Sequence, residues 1–414
     1  LAILVDREKE INNFTPKPYW KILADLKKDK KFQAEHENGQ FWEEESVKKI
    51  YDKVKEAKKA KVLKVDKKKN KEFPPSPFNT TTFLQSASAQ RIPASRAMSI
   101  AEELYMSGLI SYPRTDNTVY PSSLNIKNIV NKLSKSEFSS DVEFMQNNKR
   151  PYPTRGKKKT TDHPPIHPVD VPKKKFASSN HKKIYELIVR RFLATLTKDA
   201  ISESIEAKLD ISSEIFKAKG YRLIEPNWRK IYHYFKEKRK PIPELKENEE
   251  IEILKLRLKK DETKPPKRYT QGSLIAKMEA LSLGTKSTRH EIINKLYSRR
   301  FISLSPLKPT PMGIALIDAL GDCEVVKPKM TATLEKDMDK ISEGKKTLEK
   351  TIDESRKMLK EVLTDLEKDK ENIKKNIQSA QKEQRSVGKC PKCGKELIIR
   401  RSKKGKRFVG CSGF

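Results

Sequence analysis

Apolar residues recur at helical spacing in two separate parts of the chain. Residues 93–108 and residues 181–196 each place one apolar stripe along a predicted helix. The stripes consist of Met98, Ile100, Ala101, Leu104 and Tyr105 in the first stretch and of Ile184, Leu187, Ile188, Phe192 and Leu196 in the second. Gly108 stands where a glycine commonly ends a helix. The following LISY predicts a short strand, and Thr80, Thr81 and Thr82 are candidate caps of a preceding helix.

Polar and apolar residues alternate in the middle of the chain. SIEAKLDIS and EIEILKLRL, within residues 200–262, predict strands. Residues 14–72 mix aromatic residues with charged runs, which predicts short strands and a helix near Glu43 to Ala60. Three prolines, Pro74, Pro75 and Pro77, mark a boundary, and the Pro- and Lys-rich residues 146–175 predict a loop.

The long charged stretch from Thr331 to Gln384 also carries a helical pattern. Its apolar residues stand three, four or seven positions apart, which is typical of an amphipathic helix that packs on another surface. Because Gly344 interrupts the pattern, we expect two helices with a break at this glycine.

One internal repeat relates two of the predicted helix–strand units. Residues 95–112, SRAMSIAEELYMSGLISY, align with residues 287–304, STRHEIINKLYSRRFISL. Both fit a winged helix-turn-helix plan, although helix–strand units also share such patterns by chance. Tyr112 aligns with Leu304, so the shared plan does not require a hydroxyl group at this position.

Composition and charge narrow the class of partner. The 414 residues include 90 Lys and Arg against 56 Asp and Glu, a formal net charge of +34. This balance predicts a polyanionic partner, most simply nucleic acid, although a lysine-rich proteome would leave a similar bias. The apolar LAILV at the start is too short to span a membrane and lacks the basic segment of a signal peptide. We therefore expect a cytoplasmic, nucleoid-associated protein without membrane contact. Its first and last residues, Leu1 and Phe414, suggest a fragment of a longer chain.

Tyr112 and Arg114 are candidates for covalent chemistry on phosphorus. A tyrosine phenol can form a phosphoester, but with an ordinary pKa of about 10 it is a poor nucleophile at neutral pH. A guanidinium nearby favours the phenolate and binds phosphate oxygens in bidentate fashion. In a strand, residues two apart face the same side, so both side chains would reach one phosphate. The alternative is a buried tyrosine at the end of a strand beside a surface arginine.

Three of the four cysteines lie close together near the end of the chain. Cys390 and Cys393 have the C-x2-C spacing of a zinc knuckle, and Cys411 offers a third thiolate. We predict a Zn²⁺ site whose fourth ligand lies beyond the end of the chain; the alternative is a set of plain reduced thiols. So few, clustered cysteines indicate a reducing compartment, and Cys323 is predicted to serve packing alone.

Several sequence blocks carry a family resemblance. GLISYPRTDN, with PFNTTTFLQSAS before it and DHPPIHPV after it, resembles type IA DNA topoisomerases, in particular the archaeal form and the topoisomerase part of reverse gyrase. PPKRYTQGSLI, GTKST and MTATLEKDMDKI match further blocks in the family's order. The resemblance implies an isomerase that cleaves one DNA strand transiently, passes a strand and rejoins it, relaxing negative supercoils without ATP. It also implies single-stranded and negatively supercoiled DNA as partners, and a monomer.

The resemblance also implies roles for individual residues. Tyr112 would form a 5′-phosphotyrosine and release a 3′-hydroxyl, while Arg114 and His163 would act on the scissile phosphate as the other catalytic residues. A phosphate role for His167 is doubtful, because the family often has arginine there. Lys286 would replace the charge of the family's arginine, and Asn117 replaces the more usual serine. The implied DNA-binding residues are Thr80, Thr82, Gln85, Arg96, Asp116, Lys286, Ser287, Thr288, Arg400, Arg401 and Phe408.

The implied fold is mainly α with a β arch, in discontinuous domains around a hole, with winged-helix-like units and a C-terminal zinc ribbon. The expected domains are a tyrosine-bearing helical domain at 73–198, a β-rich arch at 14–72 and 199–262, a helical DNA-binding domain with a winged-helix unit at 1–13 and 263–385, and a partial zinc ribbon at 386–414.

The family's Mg²⁺-binding acidic domain and its acid–base glutamate would precede Leu1. We therefore expect this chain alone to bind DNA but to cleave or relax it poorly or not at all. Two alternatives of other classes are a non-catalytic winged-helix and zinc-ribbon DNA-binding protein and, less favoured because a metal-binding carboxylate cluster is missing, a phosphoryl hydrolase.

Overall fold

The computed structural model describes residues 1–235, 240–303, 306–321, 323–402 and 405–413, except for the side chains of 381–385 and 401. Leu304, the expected counterpart of Tyr112, and the side chain of Arg401 therefore lie outside the described residues. The chain folds into two compact units. The first combines Leu1–Asn13, Thr80–Ser99 and Pro266–Phe414, and the second combines Phe14–Asn79 with Ile100–Pro265. This division groups residues 80–99 with the two ends of the chain, and the four-domain division stays a prediction.

Helices and strands are interspersed along the whole chain. Up to residue 106 they are α1 (Ala2–Asn12), β1 (Pro18–Lys27), β2 (Lys31–His36), α2 (Glu44–Val54), β3 (Lys59–Glu72), α3 (Thr80–Ala89) and α4 (Ala94–Met106). Up to residue 262 they are α5 (Ile126–Leu133), α6 (Ser139–Asn147), α7 (Ser179–Thr195), β4 (Ala200–Ile211), β5 (Glu214–Glu225), α8 (Trp228–Ile231) and β6 (Glu250–Glu262). The remainder are α9 (Gln271–Ala280), α10 (Arg289–Ser298), β7 (Ile302–Ser303), β8 (Lys308–Pro309), α11 (Pro311–Leu320), a 3₁₀ turn (Glu324–Val326), α12 (Pro328–Ser342), α13 (Leu348–Lys368), α14 (Lys370–Arg385), β9 (Ser386–Lys389), β10 (Glu396–Arg401) and β11 (Arg407–Cys411).

A closed β-barrel forms one part of the second unit. Its strands are ordered β1-β2-β5-β4-β3-β6, and β6 pairs antiparallel with β1 to close it. Alternate residues of β4, such as Ala207 and Leu209, point into an apolar core that also contains Phe216. Closure leaves few unpaired strand edges, because each strand has a neighbour on both sides. The alternating segments thus form strands as predicted, and the basic tract before Phe73 belongs to the long strand β3.

Helix α7 organises the helical part of the same unit. It begins at a serine cap, since the Ser178 side chain accepts a hydrogen bond from the backbone N–H of His181. Ile184, Leu187, Ile188 and Phe192 are all buried, which confirms the apolar stripe predicted there. Its Tyr185 hydroxyl donates to the Asp170 carbonyl at 2.6 Å, which ties the helix to the segment that follows His163.

The two halves of the internal repeat share their backbone plan. In each, two helices follow one another (α3–α4 and α9–α10), and each helix ends in a residue of positive φ: Arg91, Gly108, Ser282 and Arg300. The next backbone N–H bonds the carbonyl five residues earlier, as in Leu109 to Leu104 and in Phe301 to Leu296. This is the pattern of a Schellman helix ending. Gly272 of α9 lies so close to Gln85 of α3 that a Cβ at Gly272 would approach the Gln85 Cα to 3.0 Å.

Three sequence expectations were wrong in detail. LISY forms no strand; only Ile110 pairs there, in a single bridge to Pro168. Helix α3 begins at Thr80, so Thr80 to Thr82 form its first turn and do not cap it. Residues 331–384 contain three helices, because a second break follows Lys368, although Gly344 does lie in the first break with a φ of +69°. Several apolar residues of this stretch stay exposed: Met338, Leu348, Ile352, Leu359 and Leu363.

Among the described residues, no helix has both the length and the apolar character that a membrane-spanning segment needs.

Candidate active site and zinc centre

The loop that contains Tyr112 is anchored on both sides of the tyrosine. Before it, the Ser111 backbone N–H donates to the His167 carbonyl at 2.9 Å, and the Ser111 hydroxyl donates to the Pro165 carbonyl at 3.2 Å. The His167 N–H in turn donates to the Ser111 hydroxyl oxygen at 3.0 Å. Since Tyr112 does not lie in a strand, the prediction that Tyr112 and Arg114 share one strand face was wrong.

After the tyrosine, Thr115 and Asn117 attach the loop to the segment that ends at His163. The Thr115 hydroxyl donates to the His163 carbonyl at 3.1 Å. The Asn117 amide group donates to the carbonyls of Thr160 and His163 at 2.9 and 3.2 Å, and its oxygen accepts from the Val119 N–H at 3.0 Å. Asn117 is buried, so these bonds form away from water. The sequence analysis noted Asn117 only as a replacement for the more usual serine, whereas its side chain makes three hydrogen bonds in the structure.

These anchors bring Tyr112 and His163 together. Their ring centroids lie 4.7 Å apart, and the Tyr105 ring of helix α4 meets the Tyr112 ring edge-on at 5.3 Å. Tyr112 is half-buried and His163 is exposed. A histidine ring that solvent reaches, held beside a partly enclosed phenol, is an arrangement in which an incoming anion can contact both groups.

Arg114 pairs with a carboxylate that sequence reasoning missed. Its Nε and Nη2 atoms lie 2.8 and 2.7 Å from one oxygen of Glu102, on helix α4. Both side chains retain some exposure, 23% for Arg114 and 39% for Glu102, so the pair stays reachable from solvent. No local signal in the sequence identified this partner, because twelve residues and a helix end separate the two positions.

Two further polar side chains near this loop, Asp116 and His167, place polar atoms away from solvent. The Oδ1 atom of Asp116 is buried and has no hydrogen-bond partner among the described residues. Leaving such an acceptor without a bond costs about 1–3 kcal/mol, which is typical of a group kept for an incoming ligand or water. Burial lowers the pKa of His167, and its Nδ1 lies 2.7 Å from the Pro165 carbonyl. The His167 ring is therefore buried against the carbonyl of its own loop.

The candidate DNA-binding residues of the first unit differ in exposure. Thr80 is only 1% exposed, so its position does not favour a DNA contact. Arg96 is exposed, whereas Thr82, Gln85, Lys286, Ser287 and Thr288 are half-buried. The Thr288 hydroxyl accepts from the Thr285 N–H at 2.9 Å and so closes the turn before α10. Arg289 was not among the residues predicted from the sequence. It is buried, and its Nε–H donates to the Leu283 carbonyl at 3.2 Å.

The three clustered cysteines converge at one end of a small sheet. Strands β9, β10 and β11 form it, and the sulfur atoms of Cys390, Cys393 and Cys411 all lie within 4.8 Å of one another. Thiolates around tetrahedral Zn²⁺ stand about 3.8 Å apart when each Zn–S bond is about 2.3 Å. The cluster therefore fits three of the four ligands of a zinc site.

Basic and aromatic residues line the same small sheet. Arg400 on β10 stands opposite Phe408 on β11, and Phe408 is 48% exposed. The Arg400 guanidinium donates to the Cys411 carbonyl at 3.2 Å, which holds it near the cysteine cluster. A cation beside an exposed ring is a feature of surfaces that bind single-stranded nucleic acid.

Comparisons with known proteins define the class. The DNA topoisomerase family profile matches residues 1–353, and the profile of the topoisomerase DNA-binding C4 zinc finger matches residues 387–414. The chain belongs to the DNA topoisomerase family, in its type IA branch. It contains the fold of that class, with a β-barrel among helices and a C-terminal zinc ribbon.

Individual relatives agree with this assignment. The chain is 45% identical to DNA topoisomerase 1 of Archaeoglobus fulgidus over 416 residues, covering 100% of this chain and 61% of that protein. It is 45% identical to DNA topoisomerase 1 of Thermoplasma acidophilum over 345 residues, covering 83% of this chain and 44% of that protein. The full-length topoisomerase I structure from Thermotoga maritima aligns with a TM-score of 0.68 and 27% identity, covering 99% of this chain and 67% of that one. The chain thus spans about half of the length of these two curated relatives.

Proposed function

We propose that the chain is the tyrosine-bearing part of a type IA DNA topoisomerase, which relaxes negatively supercoiled DNA through a transient break in one strand. The proposal rests on two observations. The chain belongs to the DNA topoisomerase family, and Tyr112 lies on an anchored loop in ring contact with His163. The alternative, a non-catalytic DNA-binding protein, is not favoured because the relatives that share nearly the whole chain are topoisomerases.

The proposed reaction exchanges one phosphoester for another. The Tyr112 phenol oxygen attacks the phosphorus of a single-stranded phosphodiester, and the bond from phosphorus to the 3′-oxygen breaks. The phenol loses its proton and the departing 3′-oxygen gains one, so the products are a 5′-phosphotyrosine and a 3′-hydroxyl. The reverse attack rejoins the strand after another strand has passed. Because the number of ester bonds is unchanged, ATP is not required.

Arg114 and His163 are proposed to act on the scissile phosphate. A guanidinium favours the charge that develops on phosphate oxygens during attack, and an imidazole beside the phenol can donate a hydrogen bond to them. In the DNA-free state Glu102 offers Arg114 a carboxylate, which resembles a phosphate in charge and geometry. We propose that the phosphate competes with Glu102 for this guanidinium when DNA binds.

The proposed Mg²⁺ is not assigned to residues of this chain. Among the described residues, the cysteine cluster is the one group of three or more potential ligands close enough to hold a metal ion. No carboxylate cluster of the kind that Mg²⁺ prefers accompanies Tyr112 in this part of the chain. From the family resemblance we propose that the Mg²⁺ ligands and the acid–base glutamate belong to another segment of the longer protein, and that this chain alone binds DNA with little or no cleavage.

The zinc ribbon and the repeated helix pairs are proposed to bind DNA. Zn²⁺ held by Cys390, Cys393, Cys411 and a fourth ligand from beyond the chain would fix the ribbon, and Arg400 and Phe408 would contact unpaired bases and phosphates. Lys286, Ser287 and Thr288 would contact the backbone at the start of helix α10, as in winged-helix proteins. We further propose a monomer that works on cytoplasmic, nucleoid DNA.

The decisive experiment traps the covalent intermediate. We define the extended protein as this chain with an N-terminal segment that brings it to the length of its relatives. Mixed with a labelled single-stranded oligonucleotide and Mg²⁺ and then denatured, the extended protein should carry the label on a gel. Tyr112→Phe should carry none, whereas Tyr297→Phe, a tyrosine of the second repeat half, should carry as much as the unmodified protein. Absence of any adduct from the unmodified extended protein would contradict the proposed function.

A further inference from the structure

Phe73, Tyr152 and Phe235 are among the exposed large aromatic side chains of the second unit. Their exposed fractions are 68%, 79% and 50%. Single exposed aromatic residues are common on protein surfaces. These three, however, border two cavities, and their rings contribute little to the packed core. Their exposure therefore calls for a ligand that an aromatic face can recognise.

The two cavities adjoin because both are bordered by Phe73. The first, of about 480 Å³, lies between strands β3 and β4 and the residues from Trp228 to Phe235. The second, of about 610 Å³, lies between the prolines after Phe73 and the segment from Arg150 to Arg155, which contains Tyr152. Either volume can accommodate a nucleobase. Phe73 lines both cavities, so a ligand that extends from one cavity to the other would pass this ring. We refer to Phe73, Tyr152 and Phe235 together as the track.

The structure holds one ring of this track in a fixed orientation. The Arg229 guanidinium lies 4.5 Å from the Phe235 ring centroid, and the Trp228 ring meets Phe235 edge-on at 5.8 Å. Arg229 is itself buried and pairs with Glu72 at 2.8 Å. A ring that is oriented in this way, yet half open to solvent, loses little conformational freedom when a planar ligand stacks on it.

Polar and basic groups accompany the rings. In the first cavity the Asn70 amide donates to the Ser204 hydroxyl at 2.8 Å, which places an amide and a hydroxyl where the edge of a base would lie. Arg155 borders the second cavity and is exposed, as are Lys157 and Lys159 just after it. Cations along a row of aromatic faces are the combination by which proteins bind single strands, with phosphates on the cations and bases on the rings.

One end of the track meets the loop of the candidate nucleophile. The Gly156 N–H, next to Arg155, donates to the Thr118 carbonyl at 2.9 Å. A Cβ at Gly156 would collide with the Thr118 side chain and approach the Ser76 Cβ to 3.2 Å, so both side chains lie directly against the Gly156 backbone. Thr118 directly follows Asn117, which anchors the Tyr112 loop. A strand on the track therefore leads toward that loop.

We propose that Phe73, Tyr152 and Phe235 form a stacking track for the unpaired bases of single-stranded DNA. The inference rests on the proposed function, since it extends the DNA-binding surface of the same unit. Single-stranded DNA is favoured over a peptide because the chain carries a net charge of +34 and basic residues follow the track. Duplex DNA does not fit, because its bases are stacked on one another and present no free face.

The test compares oligonucleotides with and without bases. The affinity of the 414-residue chain for a fluorescent thymidine oligonucleotide and for an abasic oligonucleotide of equal length is measured by anisotropy. Phe73→Ala, Tyr152→Ala and Phe235→Ala should each weaken thymidine binding about tenfold, within the range for base–aromatic stacking. The abasic oligonucleotide should bind all three variants as it binds the unmodified chain, because its phosphates still meet the same cations.

Matched variants separate stacking from misfolding. Phe73→Tyr, Tyr152→Phe and Phe235→Tyr keep a ring and should keep the affinity. Trp42→Ala removes another exposed aromatic ring of the same unit, one that borders neither cavity, and should leave binding unchanged. Equal losses of affinity for both oligonucleotides, or unchanged thymidine binding by the alanine variants, would contradict the stacking track. The exposed rings would then be assigned to contact with a protein partner. The adduct experiment with Tyr112→Phe does not depend on this result, so the two proposals fail separately.

Discussion

The two halves of the internal repeat begin alike and then diverge at one point. In both, the second helix ends at a residue of positive φ, Gly108 or Arg300, and an isoleucine two residues later pairs antiparallel with a proline. In the first half Ile110 pairs with Pro168, and in the second Ile302 pairs with Pro309. The second half thus forms a short hairpin. In the first half, residues 111–167 separate the two paired residues.

The long excursion of the first half contains every residue proposed to act on the scissile phosphate. Tyr112 and Arg114 follow the paired Ile110 in the chain, and His163 precedes the paired Pro168. Both ends of the excursion are therefore fixed by the same pairing, which explains how two residues far apart in sequence, Tyr112 and His163, come into ring contact at 4.7 Å. The comparison indicates that the scaffold common to both halves fixes the two ends of the inserted loop, and that the loop itself contains the residues proposed to react.

The largest expected effect comes from loosening the inserted loop. Asn117→Ala in the extended protein removes the donor that holds the carbonyls of Thr160 and His163. We expect adduct formation to slow about 100-fold, since a displacement of about 1 Å in reacting groups costs that much. Asn117→Asp should be worse, because it places a carboxylate oxygen against two carbonyls. The rate of adduct formation after rapid mixing measures both.

The second half of the repeat offers the matched control for this change. The Thr310 hydroxyl donates to the Arg300 carbonyl at 2.7 Å and caps helix α11. Thr310→Ala should cost about 1 kcal/mol of unfolding free energy, as for other lost caps, yet leave adduct formation unchanged. If Thr310→Ala slowed adduct formation as much as Asn117→Ala, the contrast between the two halves would fail.

A smaller effect is expected from the partner of Arg114. Glu102→Gln keeps the shape of the side chain but removes the charge that competes with phosphate for the guanidinium. We expect oligonucleotide affinity to rise a few-fold and adduct formation to slow about tenfold, because a neutral amide holds Arg114 less firmly in place. Opposite changes in binding and rate distinguish competition from a simple loss of stability. A fall in both would mean that Glu102 only supports the fold.

The buried histidine at the end of the inserted loop predicts a dependence of stability on pH. Burial lowers the pKa of His167 in the folded state, so the unfolded chain binds more protons just below pH 6.5. Stability is therefore complete above about pH 6.5 and falls as the pH drops toward the folded pKa, by at most about 1.4 kcal/mol per pH unit. His167→Asn should reduce this slope in urea unfolding between about pH 7 and pH 5. An identical slope in both proteins would contradict the assignment.

Periodic features of this molecule could be predicted from the sequence. The apolar stripe of α7, the alternation in β4 and the break at Gly344 all follow from local patterns, and the structure contains each of them. The convergence of Cys390 and Cys393 also followed from spacing, because a C-x2-C turn brings two thiols together without help from distant residues. The role of Tyr112 itself rested on a family resemblance and stays a proposal.

Contacts between distant residues could not be predicted in this way. Nothing local indicates that Glu102 pairs with Arg114, or that the Asn117 amide bonds the carbonyl of His163. LISY has the composition of a strand, yet only Ile110 pairs, because Ser111 turns its hydroxyl and N–H to the 165–167 segment. The apolar residues of α13 have the spacing of a buried face, and spacing alone does not reveal that several stay exposed.

The smallest expected effect tests whether the two helix ends are equivalent. Gly108 has a φ of +71° with open space around its missing Cβ, whereas Arg300 has a φ of +60° despite its side chain. Gly108→Ala adds no clash, so its cost should be only the left-handed backbone strain of about 1 kcal/mol. Arg300→Gly should relieve a similar strain, although added freedom in the unfolded chain offsets part of the gain. The two free energies of unfolding should thus move in opposite directions in urea titrations. A destabilised Arg300→Gly would show that the Arg300 side chain stabilises its helix end through contacts, and that the two ends match in backbone geometry but not in energy.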